Sequence, residues 1–291
     1  MAVAYTALLI AAVIWGLSFP VMKFAVARLG PFDVGVSRMV LGAVGGLGLL
    51  ALGRSAPADF RPFVRRHVPR LVALFLLVGY GQNFALTYGL TWTPAIVASL
   101  VPPLNPILTL LLAGVFLGER IGARRWVGVG LGVAGVMLLA FRNGWPTWAD
   151  VIGPLVVALA PLSWAVSTVL SKPLLGEVTP LRLNALTLVG GFMAVIPCVD
   201  AGVVQRLARA TAVEWAAVLY LGLGTVTVAY ALWYVGLARV GAASAGATVL
   251  AIPLVGVMGS WLFLGETLGP VVPIAALLIL GGLRMVLGGH G

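Results

Sequence analysis

Polar and aromatic side chains standing inside long apolar stretches are where this sequence places its chemistry. Trp15 and Ser18 share one stretch, and Ser163, Trp164 and Ser167 share another. A third holds Tyr80, Gln82, Asn83, Thr87 and Tyr88, and a fourth Thr225, Thr227, Tyr230 and Tyr234. Ser99 with Asn105, and Ser244 with Thr248, fall in two more. Such groups are expensive in hydrocarbon unless a cavity or partner receives them. The candidate substrate-binding residues are therefore Trp15, Ser18, Tyr80, Gln82, Asn83, Tyr88, Ser99, Asn105, Ser163, Trp164, Tyr230, Tyr234, Ser244 and Thr248. Helical spacing puts Tyr80, Asn83 and Thr87 on one face, and Thr227, Tyr230 and Tyr234 on another.

These side chains suit recognition and not bond-making. Amides, hydroxyls and rings fit a neutral or zwitterionic molecule with an apolar or aromatic side chain. Asp33, Asp150, Glu177, Asp200 and Glu214 all lie at the ends of apolar stretches or between them. Exchange of a cation against protons, which calls for a buried carboxylate, accordingly loses weight. His67 and His290 are the only histidines and Cys198 the only cysteine, so no catalytic cluster, metal site or cofactor is expected and the chain is read as no enzyme. Lys23, Lys172 and Arg38 could draw a carboxylate to a cavity mouth, the alternative being lysines that snorkel to the membrane surface.

The elements that must hold these residues are membrane helices. The chain is 61% hydrophobic and 9% charged, with a mean hydropathy of +1.11. A soluble domain carries about 25% charged residues. Spans of roughly 20 apolar residues cross a bilayer, and ten are read here: 3–23, 32–53, 69–90, 94–117, 124–141, 149–171, 180–199, 213–235, 242–264 and 270–288. The first is expected to be a retained span, because no basic region or cleavage site marks a signal peptide. The net charge of +10 falls at span ends, where cations set topology and do not bind nucleic acid. With the N-terminus inside, twelve Lys and Arg lie on the inner side and six, Arg38 among them, on the outer, so both termini are predicted to be cytoplasmic. Glycines at 42, 45, 46 and 48 and at 128, 130, 132 and 135 are expected to let helices approach closely. Trp92, Trp145, Trp148 and Trp215 read as interfacial residues. Pro102, Pro103, Pro106 and Pro253 should break the fourth and ninth spans, freeing the carbonyls of Ala98, Ser99, Pro102 and Val249 beside a polar cavity.

The chain also repeats itself. Trp15, Lys23 and Pro31 return as Trp164, Lys172 and Pro180, an offset of 149. Pro106, Phe116-Leu117-Gly118-Glu119 and Gly135 return as Pro253, Phe263-Leu264-Gly265-Glu266 and Gly282, an offset of 147. Five spans per copy force the copies into opposite orientations, as in many secondary transporters. The expected fold is all-α and polytopic: ten transmembrane helices in two inverted repeats, residues 1–143 and 144–291, around a central cavity. In each Leu-Gly-Glu, glycine should end a helix in the left-handed conformation and Glu119 or Glu266 complement the dipole of the helix that follows.

Trp15-Gly16-Leu17-Ser18-Phe19-Pro20, the proline-broken fourth span ending Leu117-Gly118-Glu119-Arg120, Ala229-Tyr230-Ala231-Leu232-Trp233 and the second Leu264-Gly265-Glu266 carry a resemblance over the whole chain. In their order and spacing they resemble the EamA-type carriers of the drug/metabolite transporter superfamily, most of all the YddG-type exporters of aromatic and other amino acids. The resemblance implies ten helices, cytoplasmic termini, alternating access and a cavity lined by spans one, three, four, six, eight and nine. It implies a bacterial inner-membrane exporter of amino acids or small metabolites, with a small-molecule substrate and membrane lipid as partners and a monomer as the simplest assembly. Drug efflux and flipping of a lipid-linked glycolipid stay open as alternatives. Asn83 and Tyr230 are expected to touch solute and not to hold helices together.

Overall fold

The computed structural model describes residues 2–52, 61–105, 107–108, 111–112, 122–140, 148–171, 173–237, 248 and 251–287. Among them every regular element is helical. In chain order these are α1 (Ala2–Leu29), α2 (Pro31–Leu52), α3 (Arg61–Trp92), α4 (Ala95–Ser99), α5 (Ala123–Ala140), α6 (Trp148–Ser171), α7 (Pro180–Val195) and α8 (Ala201–Ala208). A continuous rod built from Ala212–Leu219, Tyr220–Val228 and Ala229–Leu237 is α9, followed by α10 (Ala251–Leu264) and α11 (Val271–Leu287). Six of the described helices are long and apolar enough to cross a membrane, and two shorter apolar ones lie in α10 and α11. The protein is a multi-pass membrane protein.

Local chemistry sets the boundaries. Gly30, at φ +85°, ends α1 and hands the chain to Pro31 at the head of α2. Thr179 caps α7 ahead of Pro180, Asp200 caps α8, and Thr211 with Glu214 forms a capping box on α9. Helix α8 is an addition to the expected layout, a short amphipathic segment in the connection between the seventh and eighth spans. Arg206 on it grips buried Asp33 of α2 with two bonds of 2.6 and 2.9 Å. That hydrogen-bonded grip pushes the Arg206 guanidinium above its ordinary value.

Two rods leave the α-helical path midway. Leu77–Phe84 in α3 and Tyr220–Val228 in α9 are π-helical, a rare geometry that concentrates at functional sites. Earlier in α3, a non-helical His67 ahead of Pro69 kinks the first turns.

Packing interleaves the two halves of the chain. Helix α1 runs along α10 and α9, α2 along α7 and α9, α3 along α6 and α7, and α5 along α11. Lipid gives helices no hydrophobic reason to associate, so close backbone contact through small residues carries the packing. A Cβ on Gly128 would stand 2.6 Å from the Gly282 carbonyl, one on Gly135 2.6 Å from Ile279, and one on Gly42 3.0 Å from Val226. Gly48 and Gly130 face open space and take no part.

The Leu-Gly-Glu expectation is corrected in one respect. Gly265, at φ +65°, does end α10. The Glu266 carboxylate, however, reaches across to α4, accepting from the Ala95 and Ile96 amides at 2.7 and 2.8 Å. It complements a helix dipole in the other half of the chain and not that of α11. Lys23 of α1 works beside it, donating through Nζ to the carbonyls of Leu90 and Thr93 at the end of α3. Glu119, Lys172, Pro106 and Val249 lie outside the described residues.

The carbonyls expected to be freed near Pro102 are in part occupied. After Ser99 the chain tightens into turns, in which Val101 donates to Ala98 (3.3 Å) and Asn105 donates to Pro102 (2.9 Å). A proline-broken helix can thus satisfy its backbone by short-range bonds without facing water.

Candidate functional site

A cavity of about 500 Å³ lies between α1, α2, α3, α6, α7 and α9, with Pro102 and Ile252 as the contributions of the fourth and ninth spans. Spans two and seven therefore stand in the wall alongside one, three, six and eight. On α3 the lining residues are Leu74, Val78, Gln82, Asn83 and Leu86. From α9 come Thr225, Val226 and Tyr230.

The aromatic side of the cavity is held in place through backbone carbonyls. Trp15 donates from its indole nitrogen to the Thr225 carbonyl at 3.0 Å, and Ser18 donates to the Trp15 carbonyl at 2.5 Å. Tyr220 donates to the Ile14 carbonyl at 2.6 Å, a second tie between α1 and α9. Tyr230 meets Trp15 edge to face with ring centroids 5.2 Å apart and approaches Trp164 at 6.2 Å. Three rings so arranged offer an apolar face to a ligand, with the polar end of Trp15 satisfied by the Thr225 carbonyl.

The polar side is built on α2 and α3. Arg38 donates from Nη1 to the Asn83 side-chain oxygen at 3.0 Å, and Asn83 donates from Nδ2 to the Gly35 carbonyl at 2.7 Å. Gln82 donates to the Ser167 hydroxyl on α6 at 3.3 Å. Asn83 is thus a tie between α2 and α3 as well as part of the wall, which corrects the expectation that it holds no helices together. Arg38, counted from sequence among cations at the outer ends of spans, stands in the wall itself.

Of the sequence candidates, Trp15, Ser18, Gln82, Asn83, Trp164 and Tyr230 come together around the cavity. Tyr80 and Tyr88 point elsewhere. They form an aromatic ladder with Phe84, at centroid distances of 5.7 and 6.2 Å, and the Tyr80 hydroxyl donates to the Ala194 carbonyl at 2.9 Å. Ser99 is buried against α4's own backbone, donating to Ile96 at 2.8 Å, and Ser163 is buried against Gly81. Asn105 donates to the Pro161 carbonyl at 3.5 Å, and Thr248 is buried away from the lining. Ser244 and the side chain of Tyr234 lie outside the described residues. Sequence reasoning missed Asn184 and Thr187 of α7 and Ser171 of α6 as wall residues. Their signal was present, as polar groups in apolar spans like the others.

The lining runs from a buried apolar cluster toward the connector between α6 and α7. Beyond the rings, Phe19, Met22, Leu90, Ala98 and Val101 form a buried cluster. In the opposite direction the lining extends through Leu183 and Asn184 to Ser171 and Leu175, at the connector between α6 and α7.

Comparison with known proteins agrees with this architecture. The EamA-like transporter family model matches twice, over residues 2–141 and 151–288. A protein of Streptantibioticus cattleyicolor named a probable terminal-alkyne amino-acid exporter is 27% identical, over 97% of this chain and 93% of its own. A probable amino-acid metabolite efflux pump of Escherichia coli is 26% identical, over 94% and 91%. A solved crystal structure at 22% identity shares the fold, with a TM-score of 0.63 over 97% of this chain and 96% of that one. With nearly its full length matched by two copies of one model, the chain belongs to the EamA-like transporter family.

Proposed function

We propose that the protein exports amino acids, aromatic or neutral, and related small metabolites by alternating access. The observation that carries this reading is one cavity that joins the rings of Trp15, Trp164 and Tyr230 to the amides of Gln82 and Asn83 and the hydroxyl of Ser18. Its volume of about 500 Å³ falls in the range of small-molecule sites. The printed names of two relatives, an amino-acid exporter and an amino-acid metabolite efflux pump, support the same substrate class.

In this reading ten spans form two inverted five-helix repeats, residues 1–143 and 144–291, that rock about the cavity in the cell inner membrane with both termini in the cytoplasm. The constant sequence offsets and the double family match support the repeat. Trp15, Ser18, Gln82, Asn83, Trp164 and Tyr230 then form the substrate site, the rings taking the side chain and the amides the polar end.

Counterflow tests it. Proteoliposomes preloaded with unlabelled phenylalanine or leucine are expected to accumulate external labelled phenylalanine transiently, well above empty-loaded vesicles. No acceleration by any aromatic or neutral amino acid would overturn the substrate assignment.

A further inference from the structure

Among the described residues no carboxylate meets Arg38, which stands in the cavity wall. Five N–H donors surround a guanidinium that stays ionised at any physiological pH. The acceptors that meet Arg38 are one amide oxygen, that of Asn83 at 3.0 Å, and the Met22 sulfur at 3.9 Å. Its Nε is enclosed and unpartnered.

The carboxylates whose side chains are described have their own partners. Asp33, five residues before Arg38, is taken by Arg206 at 2.6 Å. Glu266 caps α4, Glu177 meets His67 at 2.9 Å, and Glu214 closes the capping box on α9. The fold thus satisfies an anion at the edge of α2 with a bidentate arginine and leaves a cation facing the cavity one turn further on. An uncompensated charge inside a membrane protein is costly and points to a ligand that completes it.

We propose that Arg38 is the subsite for the carboxylate of the transported solute. Asn83 positions it, because the Gly35 carbonyl fixes the amide whose oxygen receives Nη1. Guanidinium and carboxylate match in a forked geometry that neither Lys23, committed to backbone carbonyls, nor the neutral amides of the wall supply. The solute's side chain then lies against Trp15, Trp164 and Tyr230. Substrates must carry a free carboxylate. Their amides and esters, and cationic dyes, meet a positive wall and are refused. This assignment rests on the amino-acid reading of the cavity and adds to it which functional group is read.

Thermal stabilisation of the purified wild-type protein by three ligands of one shape separates the two ideas. Phenylalanine and 3-phenylpropionate are expected to raise the melting temperature, and phenylalaninamide to need at least about tenfold higher concentration for the same shift, as loss of a charge-assisted bond implies. Arg38→Gln should abolish the preference for the acid and Arg38→Lys should keep part of it. Stabilisation by the amide equal to that by phenylalanine overturns the carboxylate subsite while leaving amino-acid recognition in place. Response to 3-phenylpropionate without response to phenylalanine keeps the subsite and overturns the amino-acid reading. A response to none of the three, or an Arg38→Gln protein that still prefers the acid, overturns the subsite. The wild-type comparison decides the matter even if Arg38→Gln does not fold.

Discussion

Tyr230 is the residue whose proposed role is most direct to test, since its ring meets both tryptophans of the cavity. Removing the ring forfeits an aromatic pair with Trp15 and stacking against solute, each about 1 kcal/mol. Tyr230→Ala is therefore expected to raise the apparent KM for counterflow about tenfold, with Tyr230→Phe close to wild type and the yield of folded protein on gel filtration unchanged. Equal KM for Tyr230→Ala and wild type would place the solute elsewhere. Asn83 cannot serve as the same clean probe. Its alanine variant would also remove the bond to the Gly35 carbonyl that ties α3 to α2 and unseat Arg38. At this scale the sequence showed which residue types were anomalous in lipid, and six of them meet around one cavity. It did not show direction. Tyr80, Asn83 and Thr87 share a face in an ideal α-helix, but the π segment at Leu77–Phe84 resets the register, leaving Asn83 inward and Tyr80 with Phe84 and Tyr88 on another face. Arg38 was hidden differently. A count of cations at span ends treats each as a topology signal, whereas this one faces the cavity.

Among the elements, α4 shows how a five-residue helix is made to stay. It is too short to be stable alone, and its N-terminal amides are met by Glu266, just past the end of α10, while Lys23 holds the carbonyls of Leu90 and Thr93 at the end of α3. Deleting a cap of this kind costs about 1–2 kcal/mol. Glu266→Ala is expected to lower the melting temperature of the detergent-purified protein by several degrees. A melting temperature equal to wild type would mean that water caps α4 as well as the carboxylate does. The Leu-Gly-Glu pattern could be recognised as punctuation from sequence alone. Its partner could not, because Glu266 and Ala95 are separated by 171 residues and meet only when the two halves interleave. Glycines were more legible than acids. Gly128 and Gly135 face α11 as their density predicts, since the requirement for close approach is local to the helix that bears them.

For the whole molecule, the features so far described converge on one space. Helices of both halves line it, the Phe19, Met22 and Leu90 cluster is buried next to the Trp15 ring, and its lining runs past Asn184 to Ser171 and Leu175. Membrane character was plain from composition, because no soluble core needs a mean hydropathy of +1.11. The family likeness was carried by order and spacing across two copies and by no single motif. Helix α8 and the part played by α7 escaped notice, the first for brevity, the second because Asn184 and Thr187 have no aromatic companions to draw attention.

The central claim is that solute passes through this cavity. Cys198 is the chain's only cysteine, so Cys198→Ser gives a background in which Thr168→Cys places one thiol on the lining, a turn from Trp164. A bulky membrane-impermeant thiol reagent applied from the side of the α6–α7 connector is expected to modify position 168, to do so several-fold more slowly with saturating phenylalanine present, and to abolish counterflow in proportion to labelling. Complete modification with undiminished counterflow, and no protection by phenylalanine, would show that the solute takes another path.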